Sequence, residues 1–321
     1  MNFSIERAQE TGLDIIKLKD NTNQTEIWID TGNGARLHGF IADGWNVIDS
    51  YKTEEEMQEN FSLSYKSAKM SPFACRIENG KYSFNGKEYE FSKKFPDGSA
   101  IHGILYNKSF EVVESYTTES GAFVTLGYDY AGEEPGYPFR YRCEVSYTLQ
   151  PGNKLTVSTT IFNRENFPIP VHDGWHPYFT LGNSIDDCLL QIATSKMLVF
   201  TEKLVPNGEF TEDSRFLSPQ SLKGIRLDNS FLLEKPDHEA PVCILSNPVT
   251  GYSISFFAVE NYPILQIYTP PHRKSIAIEN LSGAPNCFNN GMGLKKVEDS
   301  MRFTLTLEIQ RSGTPAGSHM P

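Results

Sequence analysis

The 321-residue sequence predicts an all-β protein, a large antiparallel β-sandwich with few short helices. Apolar and polar residues alternate in many short segments, which is typical of half-buried strands. Turn dipeptides such as Asn-Gly and Pro-Gly separate these segments, and segments with helical periodicity are few. Many short strands without alternating helices favour antiparallel sheets packed face to face over a parallel α/β fold.

The clearest strand pair is the segment KYSFNGKEYEF, residues 81–91. Aromatic residues alternate with polar ones on both sides of Asn85-Gly86. An Asn-Gly pair tolerates positive φ at both positions of a two-residue turn. The segment therefore predicts a β-hairpin.

The same alternation predicts longer strands later in the chain. Residues 144–162 alternate on both sides of a turn at residues 151–153, and residues 303–309 place four apolar side chains on one face. The segments SISFF, ILQIY and SIAIE, between residues 253 and 279, predict three more strands.

Helical segments are short. TEEEMQENF, residues 53–61, has Thr53 and Glu56 at the spacing of a capping box, so we expect a helix of a few turns there. The chain shows no internal repeat and no Pro/Ser-rich linker, which favours one continuous domain over residues 1–312. The tail GTPAGSHMP, residues 313–321, resembles a remnant of a cloning vector.

Charge and composition argue against several classes of partner. A net charge of −11 disfavours binding to nucleic acid or to an anionic membrane surface. No segment approaches the ~20 consecutive apolar residues of a membrane span, and the first residues lack the pattern of a secretion signal. The five cysteines are scattered and odd in number, which favours reduced thiols. We therefore expect a cytoplasmic protein with no nucleic-acid or membrane partner.

The segment VHDGWHPYFTLG, residues 171–182, contains two histidines four positions apart, His172 and His176. The spacing imitates the HExxH motif of zinc proteases, but that motif requires a helix, and Gly174 and Pro177 disfavour one here. In an extended chain, residues four apart share a face, so metal binding and hydrogen bonding within a β core both stay open. The second interpretation is favoured at this point.

Other polar residues that suit acid–base chemistry or ligand binding lie at the ends of predicted strands or in loops. They are Arg76, His102, Asp228 and Glu279. Glu279 follows three apolar residues, so its carboxylate must lie at the rim of a pocket or be paired. Each residue alone is more often a solvated or structural group. With His176 they make two histidines, two acids and an arginine in similar positions.

The sequence resembles the aldose 1-epimerases, the galactose mutarotase-like family. The resemblance is carried, in chain order, by HG (102–103), GWHPYF (174–179), the Asp of LDNSF (228) and the Glu of IAIENLSGAPNCFNNG (276–291). It implies the family's supersandwich fold, in agreement with the sandwich predicted from alternation.

The resemblance also implies roles for the polar residues. His176 becomes the general acid at the ring oxygen of a sugar, and Glu279 the general base at the anomeric hydroxyl. His102 counts both as a catalytic residue and, with Asp228 and Arg76, as a residue that holds the sugar. Cys75, next to Arg76, stands where the family often has Asn. His172, four residues before His176, has no family role and is taken as structural.

Interconversion of the α and β anomers of a free aldohexose requires a proton donor at the ring oxygen and an acceptor at the C1 hydroxyl. A His and a Glu suit these roles near neutral pH. We therefore expect an aldose 1-epimerase of sugars such as glucose or galactose, with no cofactor and no metal. Its partner is a small-molecule sugar, and the protein is expected to be a monomer or a weak homodimer.

Three other functions stay open. A sugar-phosphate epimerase needs a cluster of cations, for which Arg36, Arg76, Arg273 and Lys274 are available. A glycosidase needs two carboxylates at a defined separation, which a sequence does not give. A non-catalytic carbohydrate-binding or sensing protein can share the same fold.

Overall fold

The structure is a computed structural model that describes residues 2–233 and 239–312. The tail expected at residues 313–321 lies outside the described residues. The strands of the first half of the chain are β1 (Phe3–Glu10), β2 (Leu13–Asp20), β3 (Thr25–Asp30), β4 (Arg36–Ala42), β5 (Trp45–Asn46), β6 (Ala68–Met70), β7 (Arg76–Ile77), β8 (Lys81–Phe84), β9 (Lys87–Glu90), β10 (Ala100–Ile101), β11 (Glu111–Thr118), β12 (Gly121–Tyr130), β13 (Tyr141–Gln150) and β14 (Lys154–Asn163).

The second half contributes a further set of strands. They are β15 (Ile169–Val171), β16 (Gly174–His176), β17 (Tyr178–Phe179), β18 (Leu189–Ile192), β19 (Lys196–Phe200), β20 (Pro206–Glu212), β21 (Gln220–Ser221), β22 (Asp228–Leu232), β23 (Cys243–Ser246), β24 (Tyr252–Glu260), β25 (Ile264–Tyr268), β26 (Ile276–Leu281), β27 (Lys295–Val297) and β28 (Ser300–Arg311).

Helices are few and short, as expected. The α-helices of the described residues are α1 (Glu54–Ser64) and α2 (Cys287–Asn290), and 3₁₀ turns cover Glu78–Gly80, Ile185–Asp187 and Ser214–Leu217. Within this part of the chain, no helix has the length and apolar character that crossing a membrane requires.

Antiparallel pairing joins most strands into three large sheets. One sheet has five strands in the order β1-β2-β3-β4-β5, and a second has nine in the order β11-β12-β13-β14-β28-β24-β23-β18-β21. The third has eight strands, β20-β19-β22-β25-β26-β16-β6, with β17 also paired to β26. The predicted fold class, an all-β protein built from large antiparallel sheets, is confirmed.

The predicted local elements are confirmed as well. The hairpin is formed by β8 and β9, with Tyr82 opposite Tyr89. Helix α1 begins after Thr53, whose side-chain oxygen accepts a hydrogen bond from the backbone N–H of Glu56 at 3.0 Å. The carboxylate of Glu56 bonds the backbone N–H of Lys52 instead of completing the reciprocal capping box.

The nine-stranded sheet packs on the eight-stranded sheet through large aromatic side chains. Tyr147 on β13 contacts Trp175 on β16, and Phe256 on β24 meets Phe179 on β17 edge to face at 4.9 Å. Phe179 is fully buried. Because side chains alternate along a strand, the neighbours of these core residues point to the opposite face, called the outer face below.

Candidate active site

A row of polar side chains crosses the outer face of the eight-stranded sheet. Ser230 on β22 lies opposite Gln266 on β25, and Gln266 lies opposite Glu279 on β26. The residues that flank Glu279 and Gln266, among them Ile278 and Leu265, point into the main core. Strand alternation therefore places these polar groups on one face and the apolar ones on the other.

His176 extends the row onto β16. Gly174 pairs with Leu281 and Tyr178 pairs with Ala277, so His176, midway between them, falls opposite Glu279. The Nε2 atom of His176 lies 3.4 Å from Oε1 of Glu279, and both side chains are buried.

A cavity of about 320 Å³ opens above this row. All five residues singled out from the sequence line it, namely Arg76, His102, His176, Asp228 and Glu279. Its remaining walls include Gln266 and Tyr178 from the sheet and Tyr65 and Phe95 from the segments that cover the outer face. The structure thus brings the predicted residues together, while their individual roles stay predictions.

Burial shifts the pKa values of the central pair in opposite directions. It raises the pKa of Glu279 well above its usual range, and the charge of Asp228 adds to that shift. It lowers the pKa of His176 from 6.5 to about 4. Both shifts favour the uncharged forms, because a charged group loses hydration inside the protein. Oε2 of Glu279 is buried and has no hydrogen-bond partner within the described residues, so it is free to bind a ligand.

Asp228 is held by an amide relay. The hydroxyl of Ser230 donates to Oε1 of Gln266, and Nε2 of Gln266 donates to Oδ1 of Asp228 at 2.8 Å. Burial raises the pKa of Asp228, whereas Arg76 and the Gln266 bond oppose that rise. The relay fixes the direction of one carboxylate oxygen and leaves the other for a ligand.

His102 enters the cavity from a left-handed backbone conformation, with φ of 60°. Its backbone N–H donates to the carbonyl of Cys75 at 2.9 Å, and its ring Nδ1 lies 2.9 Å from the sulfur of Met70. The ring meets the ring of His176 edge to face at 5.0 Å. Burial, followed by His176 and Arg76, lowers the pKa of His102 well below its usual value, so a neutral imidazole faces the site.

Arg76 and Cys75 lie side by side at the cavity wall. The half-buried Arg76 guanidinium forms an ion pair with Asp97. Cys75 also has positive φ, 52°, a conformation that Asn adopts more readily than most residues. Burial raises the pKa of its thiol well above the usual value, so it stays protonated.

A buried ion pair lies next to β16. Lys69 Nζ lies 2.5 Å from Oδ1 of Asp173, and the hydroxyl of Tyr262 donates to Oδ2 of the same carboxylate at 2.7 Å. The N–H of Asp173 donates to the hydroxyl of Ser282 at 2.8 Å. Asp173 lies three residues before His176, so this network fixes the strand that carries the catalytic histidine candidate.

His172 takes no part in the cavity wall. It is buried, its N–H donates to the carbonyl of Pro72 at 2.8 Å, and burial lowers its pKa to about 3. The two histidines, four positions apart, therefore lie in different environments: His176 lines the cavity and His172 does not. Within the described residues, no group of three or more His, Cys, Asp or Glu side chains is arranged to hold a metal ion.

Sequence reasoning missed Gln266 and did not include Tyr178 among the predicted site residues. Gln266 interrupts the apolar strand ILQIY, and a polar residue buried in such a strand needs a partner, so this interruption could have identified it. Tyr178 stacks on His176 with ring centroids 5.0 Å apart. Tyr65 at the end of α1 and Phe95 in a loop reach the cavity through the tertiary fold, and no local sequence pattern indicates their contribution.

Comparison with known proteins shows which family the chain belongs to. A family model described as aldose 1-epimerase matches residues 16–298. The chain belongs to the aldose 1-epimerase family. Among relatives of this family member, YihR of Escherichia coli K12, named an uncharacterized protein, is 25% identical over 283 residues, which cover 86% of this chain and 87% of YihR.

Solved structures of the family share the fold. A galactose mutarotase-like protein from Clostridium acetobutylicum superposes with a TM-score of 0.86 at 17% identity, covering 97% of this chain and 99% of that one. A galactose 1-epimerase from Lactobacillus acidophilus NCFM gives a TM-score of 0.80 at 17% identity, covering 97% of this chain and all of the other (100%). At these identities the likeness is one of fold.

Proposed function

We propose that this member of the aldose 1-epimerase family catalyses the interconversion of the α and β anomers of free aldohexoses such as glucose and galactose. The observation that carries the proposal is the buried pair of His176 and Glu279, with Nε2 and Oε1 3.4 Å apart at the base of a polar cavity. The ring oxygen and the hydroxyl oxygen of a hemiacetal are both bonded to C1, so two adjacent side chains reach both atoms.

The proton transfers form a closed cycle. Transfer of the single proton of the pair from Glu279 to His176 gives the reactive form. Protonated His176 then donates to the ring oxygen while ionised Glu279 accepts the proton of the C1 hydroxyl, and the C1–O5 bond breaks to give the aldehyde. The pair then consists of neutral His176 and protonated Glu279, the forms that burial favours. Rotation about C1–C2 and reversal of both transfers close the ring with the opposite configuration at C1.

The surrounding residues suit a polyhydroxyl ligand. Asp228 is a hydrogen-bond acceptor, Arg76 a donor, and the imidazole of His102 can serve as either. Tyr178 provides an aromatic wall, which packs well against the apolar face of a pyranose. These groups support binding of a neutral sugar with hydroxyls on several sides.

The distribution of cations favours free sugars over sugar phosphates. Of the four cations considered from the sequence, only Arg76 lines the cavity. Arg36 is buried in an ion pair with Asp30, and Arg273 pairs with Asp186. A phosphate is usually held by several cations or backbone N–H groups, and one arginine already paired with a carboxylate is a poor match.

The direct test follows the anomers of freshly dissolved α-glucose, α-galactose and glucose 6-phosphate by proton NMR, with and without protein. We expect mutarotation of both free hexoses to accelerate, with a higher rate constant per unit enzyme than for the phosphate. Faster conversion of the phosphate would indicate a sugar-phosphate epimerase. Saturable sugar binding without acceleration would indicate a carbohydrate-binding protein.

A further inference from the structure

The two ring nitrogens of His102 lie in different surroundings. Nδ1 lies 2.9 Å from the sulfur of Met70. Nε2 forms no hydrogen bond within the described residues and is accessible from the cavity that His102 lines. A neutral imidazole carries its proton on one nitrogen and a lone pair on the other. The partner of Nδ1 therefore decides what Nε2 presents to a ligand.

The sulfur of Met70 is a hydrogen-bond acceptor and not a donor, because a thioether has lone pairs but no hydrogen on sulfur. An Nδ1–H group in this position donates to the sulfur. An unprotonated Nδ1 would instead direct its lone pair at the lone pairs of the sulfur, which is repulsive. The contact therefore favours the Nδ1–H tautomer, which leaves the Nε2 lone pair facing the cavity.

The surroundings of the ring keep it neutral and limit its rotation. Burial is the main cause that holds the pKa of His102 well below its usual value. The ring of Tyr65 lies 4.8 Å away and that of His176 lies 5.0 Å away, centroid to centroid. These two rings oppose the rotation that would move Nδ1 away from Met70.

The backbone also fixes His102 relative to Met70. The N–H of Ile104 donates to the carbonyl of Ser71, the residue that follows Met70, at 2.9 Å. Gly103 has φ of 76°, and a Cβ atom there would collide with the same carbonyl oxygen. Glycine permits this approach. The HG pair of residues 102–103 is therefore docked against the end of β6.

Packing fixes the thioether from the other side. Met70 is fully buried and lies opposite Gly174 on β16. A Cβ atom at Gly174 would lie 3.1 Å from the terminal methyl carbon of Met70 and 2.7 Å from a methyl carbon of Leu281. The glycine thus leaves the space that these two side chains fill, and the sulfur is held against the imidazole.

We propose that Met70 is a positioning residue that holds His102 as the Nδ1–H tautomer, so that Nε2 accepts a hydrogen bond from a sugar hydroxyl. Met70 does not line the cavity and acts through His102. In water the Nε2–H tautomer of histidine predominates, so the protein has to impose the other form. The consequence for catalysis rests on the proposed function, whereas the tautomer is a property of the protein without ligand.

The first test is made on the wild-type protein. Long-range proton–nitrogen correlation spectra of protein labelled with nitrogen-15 histidine distinguish protonated from unprotonated ring nitrogens near neutral pH. The His102 signals are assigned by their absence from a His102→Gln variant. We expect a protonated Nδ1 and an unprotonated Nε2. A predominant Nε2–H form in the wild-type protein overturns the proposal.

The second test changes the sulfur. Met70→Leu keeps an apolar side chain of similar size but removes the acceptor, so the His102 signals should shift toward the Nε2–H form. The kcat/KM for mutarotation of galactose should fall by about three- to tenfold, the size of one neutral hydrogen bond. Met70→Gln restores an acceptor oxygen at similar reach, and it should keep the Nδ1–H form and recover most of the lost rate.

Met292→Leu is the matched control. Met292 packs against the same apolar cluster as Met70 and does not line the cavity. The variant should change neither the tautomer of His102 nor the rate. A merely structural effect of altering a methionine in this cluster would lower the rate of both variants and leave the tautomer unchanged.

The outcomes separate this inference from the proposed function. A Met70→Leu protein that keeps the Nδ1–H form shows that another group sets the tautomer, which overturns the proposal. A changed tautomer with unchanged kcat/KM overturns the role of Nε2 as an acceptor for the sugar. If the wild-type protein accelerates no mutarotation, the proposed function fails, and the spectra still decide whether Met70 sets the tautomer.

Discussion

His176 and Glu279 lie opposite each other on adjacent antiparallel strands, with Nε2 and Oε1 3.4 Å apart and both side chains buried. The imidazole also stacks on Tyr178, so its plane is fixed relative to the carboxylate. Strand register and the stacking on Tyr178 therefore hold a proton donor and a proton acceptor next to each other.

Removal of either group should abolish most of the proposed activity. Glu279→Gln keeps the shape of the side chain but loses the basic oxygen, and His176→Asn cannot deliver a proton near neutral pH. Each variant should lower kcat for mutarotation by about two to four orders of magnitude, the usual worth of a positioned proton-transfer group. The double variant should lose much less than the product of the single losses, because both residues act in one step.

The matched control is His272→Asn, which alters an exposed histidine that does not line the cavity. It should keep the wild-type rate. A folded Glu279→Gln protein with near wild-type mutarotation would refute the assignment of the base.

The pH profile should reflect a pair that holds one proton between its two members. Burial lowers the pKa of His176 to about 4 and raises that of Glu279. On acidification a second proton enters at His176, so kcat/KM should fall near pH 4 rather than near the ordinary histidine value of 6.5. On the alkaline side the single proton leaves Glu279, and activity should fall again.

The measurement is kcat/KM for galactose across the pH range in which circular dichroism shows an intact fold. An acid limb centred near pH 6.5 would mean that burial does not lower the pKa of His176 as described.

Asp228→Asn should weaken sugar binding more than it slows the proton transfers. A charge-assisted hydrogen bond contributes about 1.5–3 kcal/mol, so KM should rise by about tenfold or more with a smaller fall in kcat. Because the charge of Asp228 raises the pKa of Glu279, its removal should also move the alkaline limb to lower pH. Steady-state kinetics over pH measure both effects, and loss of kcat at unchanged KM would instead place Asp228 in the proton-transfer step.

Lys69→Met should destabilise the fold. The variant leaves Asp173 buried without its cation, and removal of one partner of a buried ion pair typically costs about 3–5 kcal/mol. Urea unfolding of the variant should show this loss. Lys81→Met is the control, since its ion pair with Glu90 is exposed on the β8–β9 hairpin and should contribute no more than about 1 kcal/mol.

Strand positions were predictable because alternation with a period of two records which face of each strand is buried. It located β13, β14 and β28 and showed which side chains enter the core. The capping spacing at Thr53 likewise located α1, since that interaction is local in sequence.

The arrangement of the site was less accessible to sequence reasoning. The order β22-β25-β26-β16 depends on pairing between distant segments, so alternation alone could not place Asp228 near His176. Their assignment to one site came from the family resemblance. The positive φ of Tyr65 at the end of α1, and the place of its ring in the cavity wall, depend on tertiary contacts that no local pattern records.

The register between β25 and β26 also makes correct folding and catalytic competence a single event. A slip of one residue would turn Glu279 toward the nine-stranded sheet and Ile278 toward the cavity, because successive side chains point to opposite faces. A misregistered chain would bury a carboxylate among apolar side chains, away from its histidine, and would be both inactive and unstable. The recovery of activity during refolding would therefore count the molecules whose central strands have paired in the native register.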